Sequence, residues 1–399
     1  MRVAMIGYTV YELDARVKRA ADALVESGHH VDLFVTDHAG SRASNSELLT
    51  IHRLQMKKRR SAAMRYAYEY GFFGAWAFVL VSLLHARRRY DIVYVHNMPN
   101  FLVFAGCLPK LRGAKIVLDV HDPAPELLAS IRGRDLQRWL RSLATAEERV
   151  SMSFSDALIT VNESMRRRIS AMSGRPVTVV MNLPDPAVFG AREDPRQREG
   201  MDFLVYSGAI AYRNGLDLVI EALSLLGDEF PALRLRIIGD GPARESLARM
   251  AEDLGVADRV DFLDCVPNHD IPGLVSGAAA GVSAQREDTF GSLVFSMKVA
   301  EYAALGLPVV CSGITTMRHY FDDDELMFFE PASARDLARA VREVLTNPAE
   351  AEERAARSRT KLRKLDWPAQ KETLVATVEA LAADKRLRAR GGSAMARTP

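Results

Sequence analysis

The chain has 399 residues, 48% of them hydrophobic, and 53 basic against 51 acidic side chains give a net charge of +2. That is enough apolar material for two buried cores, and the charge is too nearly balanced for a nucleic-acid partner, for which no binding motif is present either. Three cysteines, Cys107, Cys265 and Cys311, stand far apart without metal or redox spacing, and read as reduced, buried small residues of a cytoplasmic protein.

Met1-Arg2 leads directly into a short strand ending at Gly7, with no secretory-leader pattern. Leu13-Asp14-Ala15-Arg16-Val17 then opens a helix that closes at Gly28, and Val31 to Val35 forms the next strand. Asp14 fits either a helix cap or a site residue. From Lys57 to Arg89, eight basic residues and one acid bracket an aromatic, apolar stretch, Tyr66 to Leu84. Its uninterrupted apolar run, Gly71 to Leu84, falls short of the about 20 residues that span a bilayer. It reads as a helix packed on a sheet with solvated basic ends, or as an interfacial helix in which residues 57–89 meet an anionic membrane surface. Three more strands carry polar residues at their ends: Asp91 to His96 with Asn97, Ile116 to Val120 with His121 and Asp122, and Ser155 to Val161 with Asn162.

Hydrophobic periodicity lapses at Asn182-Leu183-Pro184-Asp185-Pro186 and through the charged stretch Ala191 to Gly200. This divides the chain into a first domain, 1–185, a linker, 186–200, and a second domain, 201–366. In the second domain the strand Phe203 to Ser207 runs into a glycine loop, Gly208 to Gly215, that contains Arg213 and Asn214. The strand Leu233 to Ile238 breaks at Gly239-Asp240-Gly241-Pro242 before a helix, Arg244 to Leu254. Glycines at 239 and 241 would let backbone approach a ligand. Phe290-Gly291-Ser292 reads as a mobile loop over phosphates or as a plain surface loop. The helix Phe295 to Leu305 stops at Gly306. On it Lys298 and Glu301, three apart, share a face: a cation for phosphate and a carboxylate able to accept from two ribose hydroxyls, or a surface ion pair. Asp322-Asp323-Asp324 reads as a solvated acidic loop rather than a metal site. A last helix, Trp367 to Arg388, precedes a small, polar tail, 389–399, expected to be disordered.

Repeated βα units point to an α/β protein with two doubly wound halves. Taken together, the opening strand with its Asp14–Arg16 loop, the strand ends at His96 and His121, the Gly208 loop, Gly239-Asp240-Gly241 and the Lys298–Glu301 helix with its Gly306-Leu307-Pro308-Val309-Val310 ending resemble the family 4 retaining glycosyltransferases across nearly the whole chain. The resemblance implies the GT-B fold, two Rossmann-like domains facing an interdomain cleft with the C-terminal helix crossing back to the first. It implies a nucleotide diphosphate sugar, UDP- or GDP-linked, as co-substrate, an acceptor hydroxyl that can be lipid-linked, and no metal or resident cofactor. His121, Lys298 and Arg213 would serve catalysis. Gly208, Asn214, Gly239, Asp240, Gly241, Phe290, Gly291, Ser292 and Glu301 would bind the donor, and Asp14, Arg16, His96, Asn97 and Asp122 would line the acceptor side, with Glu126 beside them.

Three positions depart from that family's pattern. Ala209 and Asn214 stand where an arginine and a lysine are usual, so Arg213 reads either as the residue that supplies the lost charge or as an exposed loop arginine. Leu293 stands where a second glutamate is usual, which leaves Glu287 and Asp288 as candidates for the sugar. Three functions follow: a retaining hexosyltransferase of envelope polysaccharide or glycolipid assembly, cytoplasmic or peripheral on the inner membrane face; a soluble transferase acting on a small metabolite; and a non-catalytic nucleotide-sugar binder.

Overall fold

The computed structural model describes residues 1–37, 45–56, 63–130, 134–190 and 203–395. The chain forms two compact units, Met1–Met181 with Pro368–Pro399, and Asn182–Trp367. Part of the expected linker, 191–200, lies outside the described residues, as do 57–62 of the basic stretch.

In the first unit the strands are β1 (Arg2–Val10), β2 (His30–Asp37), β3 (Leu49–Gln55), β4 (Ile92–His96), β5 (Lys115–Val120), β6 (Ala157–Thr160) and β7 (Thr178–Val179). They form one parallel sheet in the order β3-β2-β1-β4-β5-β6-β7. The helices are α1 (Ala15–Glu26), α2 (Ala63–Arg88), α3 (Cys107–Leu111), α4 (Ala124–Ser130), α5 (Arg134–Phe154) and α6 (Glu163–Ser173). Strands covered on both faces read as near-continuous apolar runs, and Val3 to Ile6, Ile92 to Val95 and Ile116 to Leu118 are all fully buried. The order reverses beside β1, where β2 and β4 flank it on opposite sides, so the loops after β1 and β4 diverge at a switch point where such sheets bind ligands.

The second unit carries α7 (Pro186–Phe189), β8 (Phe203–Ser207), α8 (Leu216–Leu225), β9 (Arg234–Ile238), α9 (Arg244–Asp253), β10 (Val260–Leu263), α10 (Ile271–Val275), β11 (Ala280–Ser283), α11 (Met297–Ala304), β12 (Val309–Ser312), α12 (Thr315–Tyr320), β13 (Met327–Phe329), α13 (Ala334–Thr346) and α14 (Pro348–Lys364). Its sheet is parallel as well, ordered β10-β9-β8-β11-β12-β13, with the switch between β8 and β11.

Helix α15 (Trp367–Met395) is longer than the composition suggests: the helix continues through Gly391 and Gly392, and of the expected disordered tail only 396–399 lies outside the described residues. From Pro368 onward it belongs to the first unit. Leu374, Val378 and Ala382, at a spacing of four, are buried. Gln370 Oε1 accepts from the Met181 amide at 2.8 Å, and Glu379 lies 2.9 Å from the His29 ring. Val378→Asp places a charge on this buried stripe and is expected to cost about 3 kcal/mol or more, read as a lower melting temperature by calorimetry.

Helix α2 packs one stripe, Phe73, Ala77, Val81 and His85, into the first unit. Its other faces expose Tyr68, Phe72, Phe78, Val79 and Leu83. The described helix exceeds the run counted from the sequence: Tyr68–Arg88 is 21 residues and is long and apolar enough to cross a membrane by length and composition alone. The cysteine reading needs one correction, because Cys265 is exposed, while Cys311 is buried and its thiol is pushed up to about 12 by that burial.

Candidate active site

In the second unit the site forms where β8 ends. Gly208, at φ 135°, turns the chain away from the strand, and Gly215, at φ 66°, opens α8 where any Cβ would lie 2.0 Å from the Ala284 carbonyl oxygen. Gly239 and Gly241 also serve packing within the unit. A Cβ on Gly239 would stand 2.1 Å from Gly208 O and one on Gly241 2.3 Å from Ile210 O. These glycines let the β9 turn nest against the Gly208 loop, pinned by Ile210 N–H donating to Asp240 O at 2.9 Å. The Asp240 side chain is exposed.

Helix α11 is locked in register by Tyr302. Its hydroxyl accepts from the Ser207 amide at 2.7 Å, and its ring fills the space a side chain on Gly281 would need. One turn earlier, Lys298 then falls beside the β8 end, its Nζ 5.0 Å from the Tyr206 ring centre and its Cε 3.6 Å from where a Gly208 Cβ would sit. Tyr206 in turn donates to the Ala209 carbonyl at 2.7 Å and shapes the loop. No side chain caps the start of α11 at Ser296, which leaves its first-turn N–H groups beside the Lys298 ammonium.

Burial lowers the Lys298 pKa, against the pull of the Glu301 charge. Burial raises Glu301 to about 7, with Lys298 holding it back from going further. The two are therefore an electrostatically coupled pair at the strand end, as the i, i+3 spacing suggests. Arg213 is exposed, its guanidinium 5.7 Å from the Phe290 ring centre, and its charge acts on Lys298.

Other donor-side candidates are engaged within the unit. Asn214 Nδ2 donates to Ala209 O at 2.7 Å and braces the loop. The Phe290-Gly291-Ser292 segment is pinned rather than loose. Asp288 Oδ1 accepts from the Phe290 and Gly291 amides, Gln285 donates to Gly291 O, Thr316 donates to Ser292 O, and Phe290 is buried. Asp288 is thus a turn cap, and Glu287 caps α12 by accepting from the Thr315 amide and hydroxyl.

In the first unit the ends of β1, β4 and β5 gather Asp14, Arg16, His96, Asn97, His121 and Asp122. Asp14 caps α1, accepting from the Arg16 and Val17 amides, and its charge also reaches His96 and His121. Arg16 lies 3.5 Å from Asp14 and 4.0 Å from Asp122. Asn97 is a clamp: Oδ1 accepts from the His121 amide at 2.7 Å and from the Asp122 amide, and Nδ2 donates to Asp122 O. Glu126 is drawn away into a bidentate pair with Arg168, which also holds the buried Glu148.

Beneath His121 sits a buried polar cluster. His121 Nε2 is 3.1 Å from His96 Nδ1 and 3.3 Å from Asp119 Oδ2, and Tyr94 donates to the same Asp119 oxygen at 2.6 Å. Burial acts to raise the Asp119 pKa, but His121, His96 and Tyr94 outweigh it and hold the carboxyl at about 2, while burial keeps His96 near 4 and neutral. Asp119 was legible only as a lone charge inside an apolar strand.

Among the described residues two groups bring three candidate ligand atoms within 4.8 Å of one another, His96–Asp119–His121 and Asp322–Asp324–Glu325. The second is more than a solvated loop. Lys361 bridges Asp322 and Glu325 at 3.0 and 2.6 Å, Arg357 meets Asp324, and Arg318 meets Asp323, so basic side chains already neutralise it.

Two parallel α/β sheets, one ending at the Lys298–Glu301 pair and the other at a histidine–aspartate cluster, form the GT-B fold. Sucrose-phosphate synthase from Thermosynechococcus elongatus superposes with a TM-score of 0.79 at 17% identity, covering 96% of this chain and all of that one. The description "Glycosyl transferases group 1" matches residues 190–362, and "Glycosyl transferase 4-like domain" matches residues 13–183. The chain belongs to the group 1, family 4 glycosyltransferases. Glycogen synthase from Mycobacterium tuberculosis is 31% identical over 220 residues, 53% of this chain and 51% of that protein, so the match spans about half the length of that relative. The 2-deoxystreptamine glucosyltransferase of Streptomyces kanamyceticus is 26% identical over 363 residues, 84% of this chain and 90% of that protein.

Proposed function

We propose that the chain moves a hexose from a UDP- or GDP-linked sugar to an acceptor hydroxyl with retention of anomeric configuration, in envelope polysaccharide or glycolipid assembly at the cytoplasmic face of a membrane. The observation that carries the donor reading is the half-buried Lys298–Glu301 pair beside Gly208. Glu301 is the acceptor for ribose hydroxyls, and Lys298, the α11 N-terminus and Arg213 take the charge of the departing diphosphate. With these cations in place, turnover is expected to persist in EDTA. A thermal-shift screen of UDP, GDP, ADP and their sugar conjugates tests the donor class. A ligand at 100 times its dissociation constant stabilises the fold by about 2.7 kcal/mol, and no shift with any nucleotide would sink the transferase reading.

The membrane reading rests on the exposed faces of α2 and α5. Both helices pack on the segment Asn100–Gly106, and α5 exposes Trp139, Leu143 and Val150 among Arg138, Arg141 and Arg149. Aromatic and aliphatic side chains interleaved with arginines suit an anionic interface. Flotation with phosphatidylglycerol-containing vesicles is expected, lost in the Phe72→Glu/Val79→Glu/Leu83→Glu variant and absent with neutral phosphatidylcholine. The full-length likeness to a 2-deoxystreptamine glucosyltransferase favours a second reading, a soluble enzyme with a small acceptor. Failure to float with either vesicle, in a protein that turns over, selects it.

A further inference from the structure

Two buried ring nitrogens of the first unit have no hydrogen-bond partner, His121 Nδ1 and His96 Nε2. The opposite nitrogens of the same rings face each other at 3.1 Å, and both face one oxygen of Asp119, at 3.3 Å from His121 Nε2 and 3.5 Å from His96 Nδ1. An orphaned nitrogen on a side chain only 7% exposed is costly unless something occupies it.

The position of the protons follows from Asp119. Tyr94 donates to Asp119 Oδ2, so that oxygen is anchored as an acceptor. Burial opposes its charge, but His121, His96 and Tyr94 hold the Asp119 carboxyl below the usual carboxylate range, so it faces the rings as a carboxylate. Were His121 Nε2 bare, its lone pair would oppose this carboxylate at 3.3 Å; a proton on Nε2 converts that repulsion into attraction. Of the two rings His121 is the nearer to Asp119 Oδ2, 3.3 Å against 3.5 Å, so its proton lies between that oxygen and His96 Nδ1, and His96 carries its own proton on Nε2. Asn97 fixes the backbone of His121 and Asp122, and the His121 ring stacks on the His96 ring with 5.4 Å between centres.

We propose that Asp119, anchored by Tyr94 and flanked by His96, is a positioning residue that holds His121 in the Nε2–H tautomer, so that its bare Nδ1 accepts a hydrogen bond from a sugar hydroxyl. The hydroxyl assignment rests on the glycosyltransferase reading above; the tautomer does not. Asp14 and Arg16, which also face this cluster, carry opposite charges and act on His96 in opposite directions. The site thereby requires a donor on the substrate. A substrate lacking that hydroxyl leaves Nδ1 buried and unpaired, a form of discrimination that reaches several orders of magnitude where a site is built for it.

The test uses the full chain labelled with 15N-histidine and long-range 1H–15N correlation at pH 7.5, with His121 assigned by comparison with His121→Asn. The wild type is expected to show a protonated Nε2 and a bare Nδ1. Asp119→Asn is expected to shift the tautomer balance and lower kcat/KM by between about 10²- and 10⁴-fold, in line with loss of an orienting carboxylate. Tyr94→Phe, the milder change, shifts it in the same direction with the fold intact by circular dichroism. A protonated Nδ1 in the wild type, or a balance unmoved in both folded variants, overturns the tautomer. So does Zn²⁺ at low micromolar concentration, if it stabilises the wild type and shifts both histidines, because the cluster is then a metal site. UDP-glucose and GDP-mannose are the ligand probes. If either stabilises the protein yet leaves the Nδ1 resonance unmoved, the sugar-hydroxyl assignment falls. If neither stabilises it, the donor reading falls while the tautomer result stands.

Discussion

Glu301→Gln is expected to weaken donor binding by about 10²-fold or more and at the same time to stabilise the empty protein. The carboxylate is a half-buried group whose pKa burial has raised to about 7, from an ordinary carboxylate value, despite the Lys298 charge. An ionised Glu301 can accept from two hydroxyls; a protonated one or an amide cannot present the same pair of acceptors. Hydrogen bonds to a charged group are worth roughly 1.5–3 kcal/mol each, so glutamine should weaken UDP-glucose or GDP-mannose by about 10²-fold or more. The pH dependence has a definite sign. Donor affinity is full above pH 7, where Glu301 is ionised without help, and falls by up to about tenfold per unit as pH drops below it. The stability of the empty protein runs the other way. An acid whose folded pKa lies above its unfolded one favours the fold while it holds its proton, and that advantage is lost as pH rises from about 4.5 to about 7. Glutamine removes the loss, so the variant should gain on the order of 1–3 kcal/mol at pH 8 and nothing at pH 4. Isothermal titration of the nucleotide sugar and chemical denaturation, each at three pH values, check both halves. A variant that binds donor normally, or one destabilised at pH 8, contradicts this account.

What the sequence discloses about the site depends on how local the determining contacts are. The Lys298–Glu301 pair is legible because helical spacing alone puts i and i+3 on one face, and Gly306 marks the helix end. His96, His121 and Asp14 are legible because polar residues directly after apolar strands mark the strand ends of a parallel sheet. The partners of these residues are not legible, because they come from distant sequence. Glu126 looks as available as Asp122 until Arg168, 42 residues on, takes it. Asn97, Asn214 and Asp288 look like ligand contacts, yet each closes a loop through backbone groups whose positions only the fold determines. Gly239 and Gly241 announce a close approach without saying to what, and the answer is the neighbouring loop. Composition misled at the C-terminus and at α2. Small residues after Arg388 did not end the helix, and the length of α2 exceeds the uninterrupted apolar run within it.

Lys298→Met is expected to lower kcat by about 10²- to 10³-fold with a smaller effect on donor affinity. The reasoning starts from where Lys298 sits. Its Nζ is held over the Tyr206 ring at the end of β8, in the first turn of an α11 N-terminus that no side chain caps. Burial has already lowered its pKa, so the ammonium is desolvated and gains most when a second negative charge develops on the leaving diphosphate. An interaction that strengthens as charge builds up acts on kcat, and removing one such donor from a preorganised site costs about 10²–10³ in rate. Arg213 stands differently. It is exposed and stacked near Phe290, so solvent screens its charge and Arg213→Met should cost about tenfold at most. Lys298→Arg should not rescue, because a planar guanidinium does not fit a seat built for a compact ammonium between Tyr206 and Gly208. The comparison separates two roles. If Lys298→Met raises KM and leaves kcat intact, Lys298 only holds the donor in place, and the burden of leaving-group stabilisation passes to Arg213 and the α11 N–H groups.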